Sequence, residues 1–190
     1  MEAEASEGSV EGRLESRSTI WTVGHSTRPI TEFIDLLQSG AITVVADVRR
    51  FPASRRYPQY NQQPLAETVA AVGIRYLGLP ALGGRRQPRP DSPHTAWRNP
   101  SFRAYADYMD TPAFQQCMDQ VMVLAATEHI ALMCSEAVWW RCHRALIADY
   151  LKVRGYTVIH LLSPTKHELH PYTSAAQIVE GKLTYSTPAS

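Results

Sequence analysis

Residues 130–144 bring a thiol, a carboxylate, an imidazole and two guanidiniums into one short stretch, Ile-Ala-Leu-Met-Cys134-Ser-Glu136-Ala-Val-Trp-Trp140-Arg141-Cys142-His143-Arg144. Cys134 closes an apolar run and precedes a segment that reads as the N-terminus of a helix, with Arg141, His143 and Arg144 close by. A helix dipole and neighbouring cations each lower a thiol pKa and raise the thiolate fraction at neutral pH. Cys134 is therefore the candidate nucleophile; the alternatives are a binding-site wall or a small residue buried at a strand end. Glu136 is a candidate general acid or base, or the ion-pair partner of Arg144 or Arg141. His143, in the first helical turn, is a candidate base or hydrogen-bond donor whose pKa the dipole lowers, or a structural histidine.

These side chains need a scaffold, and the hydrophobic pattern supplies one. Residues 19–24, 42–48, 74–79, 129–134 and 157–162 are apolar, β-branched runs of strand length, the second nearly continuous, as in a strand covered on both faces. Between them, helical spacing recurs in Ile30, Phe33, Ile34 and Leu37, in Leu65, Val69 and Val72, and from Cys142 to Arg154 with Gly155 as cap. Phe102, Tyr105, Ala106 and Met109 begin another helix. Thr111-Pro112 reads as the N-cap and first-turn proline of the next, which turns Cys117 towards the core. Residues 80–100 hold five prolines and no periodicity, a long irregular segment of the kind that is functional or mobile. One short helix is expected near residues 175–179 and a terminal strand near 183–185.

The alternation predicts an α/β, three-layer sandwich around a mostly parallel sheet of about five strands, Rossmann-like but without a dinucleotide fingerprint. In such a sheet the ligand crevice lies beyond the carboxyl ends of the strands. There the chain delivers His25 and Ser26, then Asp47 and Arg49, then Gly83 and Gly84 of a Gly-Gly-Arg-Arg loop, then Cys134 and Glu136. His25 is the second candidate for proton transfer. Asp47-x-Arg49 is either a self-paired bridge organising its loop or an acid beside an anion clamp. Ser26, Gly83, Gly84, Arg141, Arg144 and Trp140 complete the expected binding rim, Trp140 as a surface for stacking a base or as loop packing.

Composition narrows the function. The 44% hydrophobic and 19% charged content is that of a globular protein, and no apolar run approaches the roughly 18 residues of a membrane span. Residues 1–18 carry five glutamates among glycines and serines and read as a disordered acidic tail; residues 19–185 form one domain, and 186–190 a second tail. There is no secretion signal, and the three scattered cysteines do not form a disulfide framework, so a cytoplasmic location is expected. Setting aside the tail's five acids and two arginines leaves 17 bases against 13 acids, and between Asp47 and Arg103 ten arginines face three acids. Arginine suits bidentate contacts to carboxylate or phosphate, which favours an anionic small molecule or a nucleic acid as partner.

Other chemistries fit the spacing poorly. A cysteine-phosphatase loop has five residues between Cys and Arg, whereas six separate Cys134 from Arg141. No Cys-x2-Cys or His-x3-His pair is present, and Cys142 and His143, adjacent on a helix, would point to different faces, so no metal and no cofactor is expected. Neither Gly-x-Gly-x-x-Gly nor a P-loop occurs.

Five ordered motifs carry a resemblance: Thr22-Val-Gly-His25-Ser26; Ala46-Asp47-Val-Arg49 with Pro52 and Ser54; Leu82-Gly83-Gly84; Leu132-Met-Cys134-Ser-Glu136; and Cys142-His143-Arg144 with Ile147-Ala-Asp149. Together they resemble the domain of unknown function 488 family across nearly all of residues 19–165. The resemblance implies a cytoplasmic α/β protein with a site built from these motifs, and it brings no reaction with it. The expected function is an enzyme acting on a nucleic acid or nucleotide-like anion through Cys134. The alternatives are a non-catalytic module that binds such a ligand, and a thiol redox or sulfur-handling protein using Cys134 with Cys142.

Overall fold

The computed structural model describes residues 18–187. The expected acidic tail lies outside the described residues except for Ser18. At the other end, Ser186 and Thr187 are bonded to the domain, with the Thr187 amide donating to Thr95 Oγ1 at 3.0 Å.

In chain order the elements are β1 (Thr19–Gly24), α1 (Ile30–Ser39), β2 (Val44–Asp47), α2 (Gln62–Ala70), β3 (Arg75–Gly78), α3 (Pro100–Met109) and α4 (Pro112–Leu124). They continue with β4 (Ile130–Cys134), α5 (Arg144–Val153), β5 (Thr157–Ser163), β6 (Lys166–Leu169), β7 (Gln177–Val179) and β8 (Lys182–Thr184). Six strands form one sheet in the order β3-β2-β4-β1-β5-β6, the first five parallel and β6 antiparallel to β5. The parallel core of five matches the expectation. β6 was missed because its Lys-His-Glu-Leu sequence is exposed and carries no apolar run. The helix expected at 175–179 is instead β7, paired with β8 in a hairpin; the apolar pair Ile178-Val179 fits either period, and the Glu180-Gly181 turn, both residues at positive φ, decides for the hairpin.

Strand alternation makes the three layers. Val44, Ala46, Ile130, Leu132 and Cys134 face one core with α3, α4 and α5, while Val45, Ala131 and Met133 face the other with α1 and α2. β2 and β4 are buried along their whole length, which is why both are continuously apolar. The expected cap forms: Thr111 accepts from the Phe114 amide with Pro112 in the first turn of α4; Asn99, which was not singled out, does the same for Ser101 ahead of Pro100 and α3. Val72, expected inward, lies past the end of α2 and is exposed.

The topology locates the crevice. β1 and β4 are neighbours, but the connection from β1 leads through α1 to β2 on one side, while that from β4 leads through α5 to β5 on the other. The chain therefore parts at the carboxyl ends of these two strands, where Gly24-His25 and Cys134 emerge side by side. No helix among the described residues is long and apolar enough to cross a membrane.

Candidate functional site

Beyond β1 and β4 lies a cleft of about 630 Å³. The sheet ladder runs into its floor: the amides of His25 and Ser26 donate to Cys134 O and Ser135 O at 3.0 and 2.9 Å. Gly24 is required there, since a Cβ on it would lie 1.8 Å from the backbone oxygen of Glu136. Ser26 takes φ 50, a left-handed conformation uncommon for a side-chain-bearing residue, as the chain turns across the cleft.

Of the expected residues, His25, Ser26, Arg49, Gly84, Cys134, Glu136, Arg141 and His143 line the cleft. Asp47 and Arg144 are buried beneath it, 1% exposed each. Gly83 packs under the wall, where a Cβ would lie 2.5 Å from that of Arg50. Trp140 is outside the lining and 49% exposed, with its ring edge-on to Trp139.

At the bottom, Cys134 Sγ, Cys142 Sγ and a ring nitrogen of His143 lie within 4.8 Å of one another. The expectation that Cys142 and His143 diverge is corrected. Helix α5 begins at Arg144; Cys142 is extended (φ −126°, ψ 149°) and His143 turns (φ −56°, ψ −16°), so the sulfur and Nδ1 meet at 3.6 Å. His143 Nε2 is 3.3 Å from Val48 O and must carry the proton to donate there, which leaves the lone pair on Nδ1, facing the sulfur. Gly84 lets the wall close on this ring, since a Cβ would come within 3.1 Å of Nδ1. The two thiols and this imidazole form a donor set that suits a soft metal ion.

The thiol properties differ from the expectation for Cys134. Burial pushes the Cys142 thiol up, but the S–H of Cys134 and the charge and hydrogen bonds of Arg144 outweigh it and bring it down to about 6. Cys134 goes the other way: its bond to Cys142 and its burial hold it well above the usual thiol range. Arg144 Nε donates to Cys142 Sγ at 3.4 Å, and among the described residues no carboxylate pairs with this buried guanidinium. The negative charge it needs falls on Cys142.

Arg144 also heads a buried relay absent from the expected site. Its Nη1 donates to Thr22 Oγ1 (3.3 Å), Thr22 to His160 Nδ1 (2.7 Å), His160 Nε2 to His170 Nδ1 (2.9 Å) and His170 Nε2 to Asp149 Oδ1 (3.0 Å). The fixed donors of Arg144 and the fixed acceptors of Asp149 set this direction. Asp149 further accepts from Thr173 N, Thr173 Oγ1 and Tyr185. The sequence signal was present: His160 interrupts an apolar strand and Asp149 lies within the inward stretch of a helix.

A second cluster holds the opposite wall. Arg49 grips Asp47 through Nε (2.9 Å) and Nη2 (2.6 Å), Tyr76 donates to the same carboxylate at 2.6 Å, and Arg49 Nη2 donates to Tyr60 O. Of the two readings of this pair, the geometry matches the self-paired bridge. Its spare Nη1 lies 3.3 Å from His25 Nε2, while His25 Nδ1 donates to Ser26 O at 2.9 Å and the ring stacks on Tyr60 at 4.0 Å. Burial above all, with Arg49 adding to it, lowers His25 to about 4, so it is neutral at physiological pH.

At the mouth, Arg50, Arg85 and Arg141 are exposed and line the cleft, and among the described residues none has an ion-pair partner. Glu136 is also exposed and, among the described residues, without an ion-pair partner; Arg144 binds its backbone oxygen. Phe51, 63% exposed with Arg50 over its ring, lines the cleft where Trp140 does not.

The fold and crevice define a three-layer α/β protein with a cleft at the switch point of a parallel sheet. The chain belongs to the family described as Domain of unknown function DUF488, which it matches over residues 29–151. The match takes in Asp47, Gly83, Cys134, Cys142 and Asp149, and begins just after His25 and Ser26. No curated protein and no solved structure matches the chain.

Proposed function

We propose that the protein is a thiol-dependent enzyme acting on an anionic substrate of the nucleotide or nucleic-acid class, bound in the switch-point cleft. One observation carries this reading: two sulfurs and an imidazole nitrogen within 4.8 Å of one another floor a cleft whose mouth holds unpaired arginines. Arg50, Arg85 and Arg141 contact the anion and Phe51 stacks on a base. Cys142 with Cys134 forms the reactive centre, His143 takes up the thiol proton, and Glu136 is the acid or base on the substrate side. His25, its nitrogens engaged by Ser26 and Arg49, positions the floor. Three free, buried cysteines favour a cytoplasmic location.

The test is a thermal-shift screen over nucleotides, bases and oligonucleotides, followed by turnover of any stabilising compound. Cys142→Ser and Cys134→Ser should keep affinity and lose turnover. Unchanged turnover in both would overturn the enzyme reading and leave a binding module. The closeness of the two sulfurs favours a second reading, a redox or sulfur-handling reaction through a Cys134–Cys142 bridge. Mass spectrometry after mild oxidation supports it if that bridge forms and removes it if the thiols stay unbridged.

A further inference from the structure

We infer that Cys134, Cys142 and His143 form a binding site for a divalent cation of the zinc class, with one coordination position open to the cleft. The inference concerns the floor alone and does not depend on which substrate the cleft takes; with the cation bound, Cys134, Cys142 and His143 are its ligands, and the free-thiol chemistry proposed above is that of the unloaded protein.

Distance is the first argument. Zinc–sulfur bonds of about 2.3 Å and zinc–nitrogen bonds of about 2.0–2.1 Å, at tetrahedral angles, place sulfur and nitrogen about 3.6 Å apart. Cys142 Sγ and His143 Nδ1 are 3.6 Å apart, and all three donor atoms lie within 4.8 Å of one another. Two thiolates and one imidazole are also the ligand types that select zinc over magnesium or calcium.

The surroundings are those of a ligand set. A metal-bound histidine donates its other ring proton to a carbonyl or carboxylate, which fixes tautomer and orientation. His143 does so to Val48 O, directing the Nδ1 lone pair at the sulfurs, and Gly84 packs against the ring itself. Arg144 Nε supplies an N–H to Cys142 Sγ, as ligating sulfurs require in a buried site. Two thiolates also offset the dication, so that the loaded floor carries no net charge beyond that of Arg144.

Three protein ligands and an open face are the pattern of a reactive zinc; a structural zinc is closed by four. All three donors line the cleft, so the vacant direction points to where substrate or water enters. Glu136 lines the same cleft outside the donor set, where its carboxylate can take a proton from a metal-bound water.

The full-length protein, kept reduced, would be assayed for zinc by elemental mass spectrometry and titrated with Co²⁺. One equivalent of zinc and a sulfur-to-cobalt charge-transfer absorption are expected. Cys134→Ser should lower that absorption, Cys117→Ser should leave it unchanged, and Gly84→Ala should weaken uptake by about 10–100-fold. In the wild-type chain, zinc should also protect Cys134 and Cys142 from alkylation and leave the rate at Cys117 unaltered, a readout independent of whether any variant folds. A folded, fully reduced protein with no charge-transfer absorption and no zinc protection would overturn the site, as would a signal that depends on Cys117. Anion binding at the mouth is read separately by thermal shift, so loss of one result leaves the other standing.

Discussion

Gly24 and Glu136 are in contact at the switch point: the Cα of the first faces the backbone carbonyl of the second so closely that a Cβ would lie 1.8 Å from the oxygen. That carbonyl also accepts from Arg144 Nη2, so the contact ties the end of β1 to the loop carrying the site. Gly24→Ala should cost about 3 kcal/mol, the upper range for overpacking against an element that cannot yield. In a chain of this length that is a fall on the order of 10 °C in Tm. Differential scanning calorimetry checks it; an unshifted transition would show that the loop moves freely.

Asp149 holds the C-terminal segment onto α5. Its carboxylate accepts from His170, from the amide and hydroxyl of Thr173 and from Tyr185. Asn places an NH₂ where one of these donors points, leaving buried groups unpaired at a cost of about 2–3 kcal/mol. Hydrogen exchange of Asp149→Asn should show amides of residues 170–185 opening before those of β1 and β4. Uniform exchange across the sheet and this segment would contradict the assignment.

Stability should fall on acidification through the histidines. Burial lowers His25 to about 4, with Arg49 adding to it, and burial lowers His160 to about 2, with His170 and Arg144 adding to it; both titrate near 6.5 when unfolded. The unfolded chain therefore binds more protons than the folded one below about pH 6.5. Each histidine contributes fully above that value and loses stability as pH falls, towards 4 for His25 and further for His160, at up to about 1.4 kcal/mol per pH unit. Denaturant midpoints between pH 6.5 and 4.5 should drop, and less steeply in His160→Gln. Equal slopes for parent and variant would exclude His160 as a source.

Arg85 and Arg141 stand at the mouth without partners among the described residues. For an oligonucleotide ligand, replacing either by Ala should weaken binding and reduce the slope of log affinity against log salt by about 1. Arg75→Ala, which breaks a surface pair with Glu128, serves as control. A slope unchanged by all three substitutions would remove the phosphate contact.

Much of the fold was legible along the chain, because a strand or helix buries a face by local periodicity. Val44 and Val45, neighbours in sequence, already announce opposite cores, and Thr111-Pro112 announces its helix. The motifs at strand ends likewise located the crevice, since the carboxyl ends of parallel strands share one edge. Exposed β6 and β7 escaped, while the terminal strand was expected near 183–185: β6 pairs with β5 and β7 with β8 across tight turns, and neither has an apolar period of its own.

The direction of side chains was decided by the tertiary structure alone. Cys142 and His143 converge because Cys142, where the helix was expected to begin, is extended, and α5 starts two residues later at Arg144. Arg144 lies under the floor because Thr22, Cys142 and Glu136, from separate segments, meet around it. Residue types and their spacing determined which groups reach the carboxyl edge of the sheet. Which sulfur carries the charge, and which arginines face solvent, depends on burial and through-space contacts, and those exist only once the chain has closed on itself.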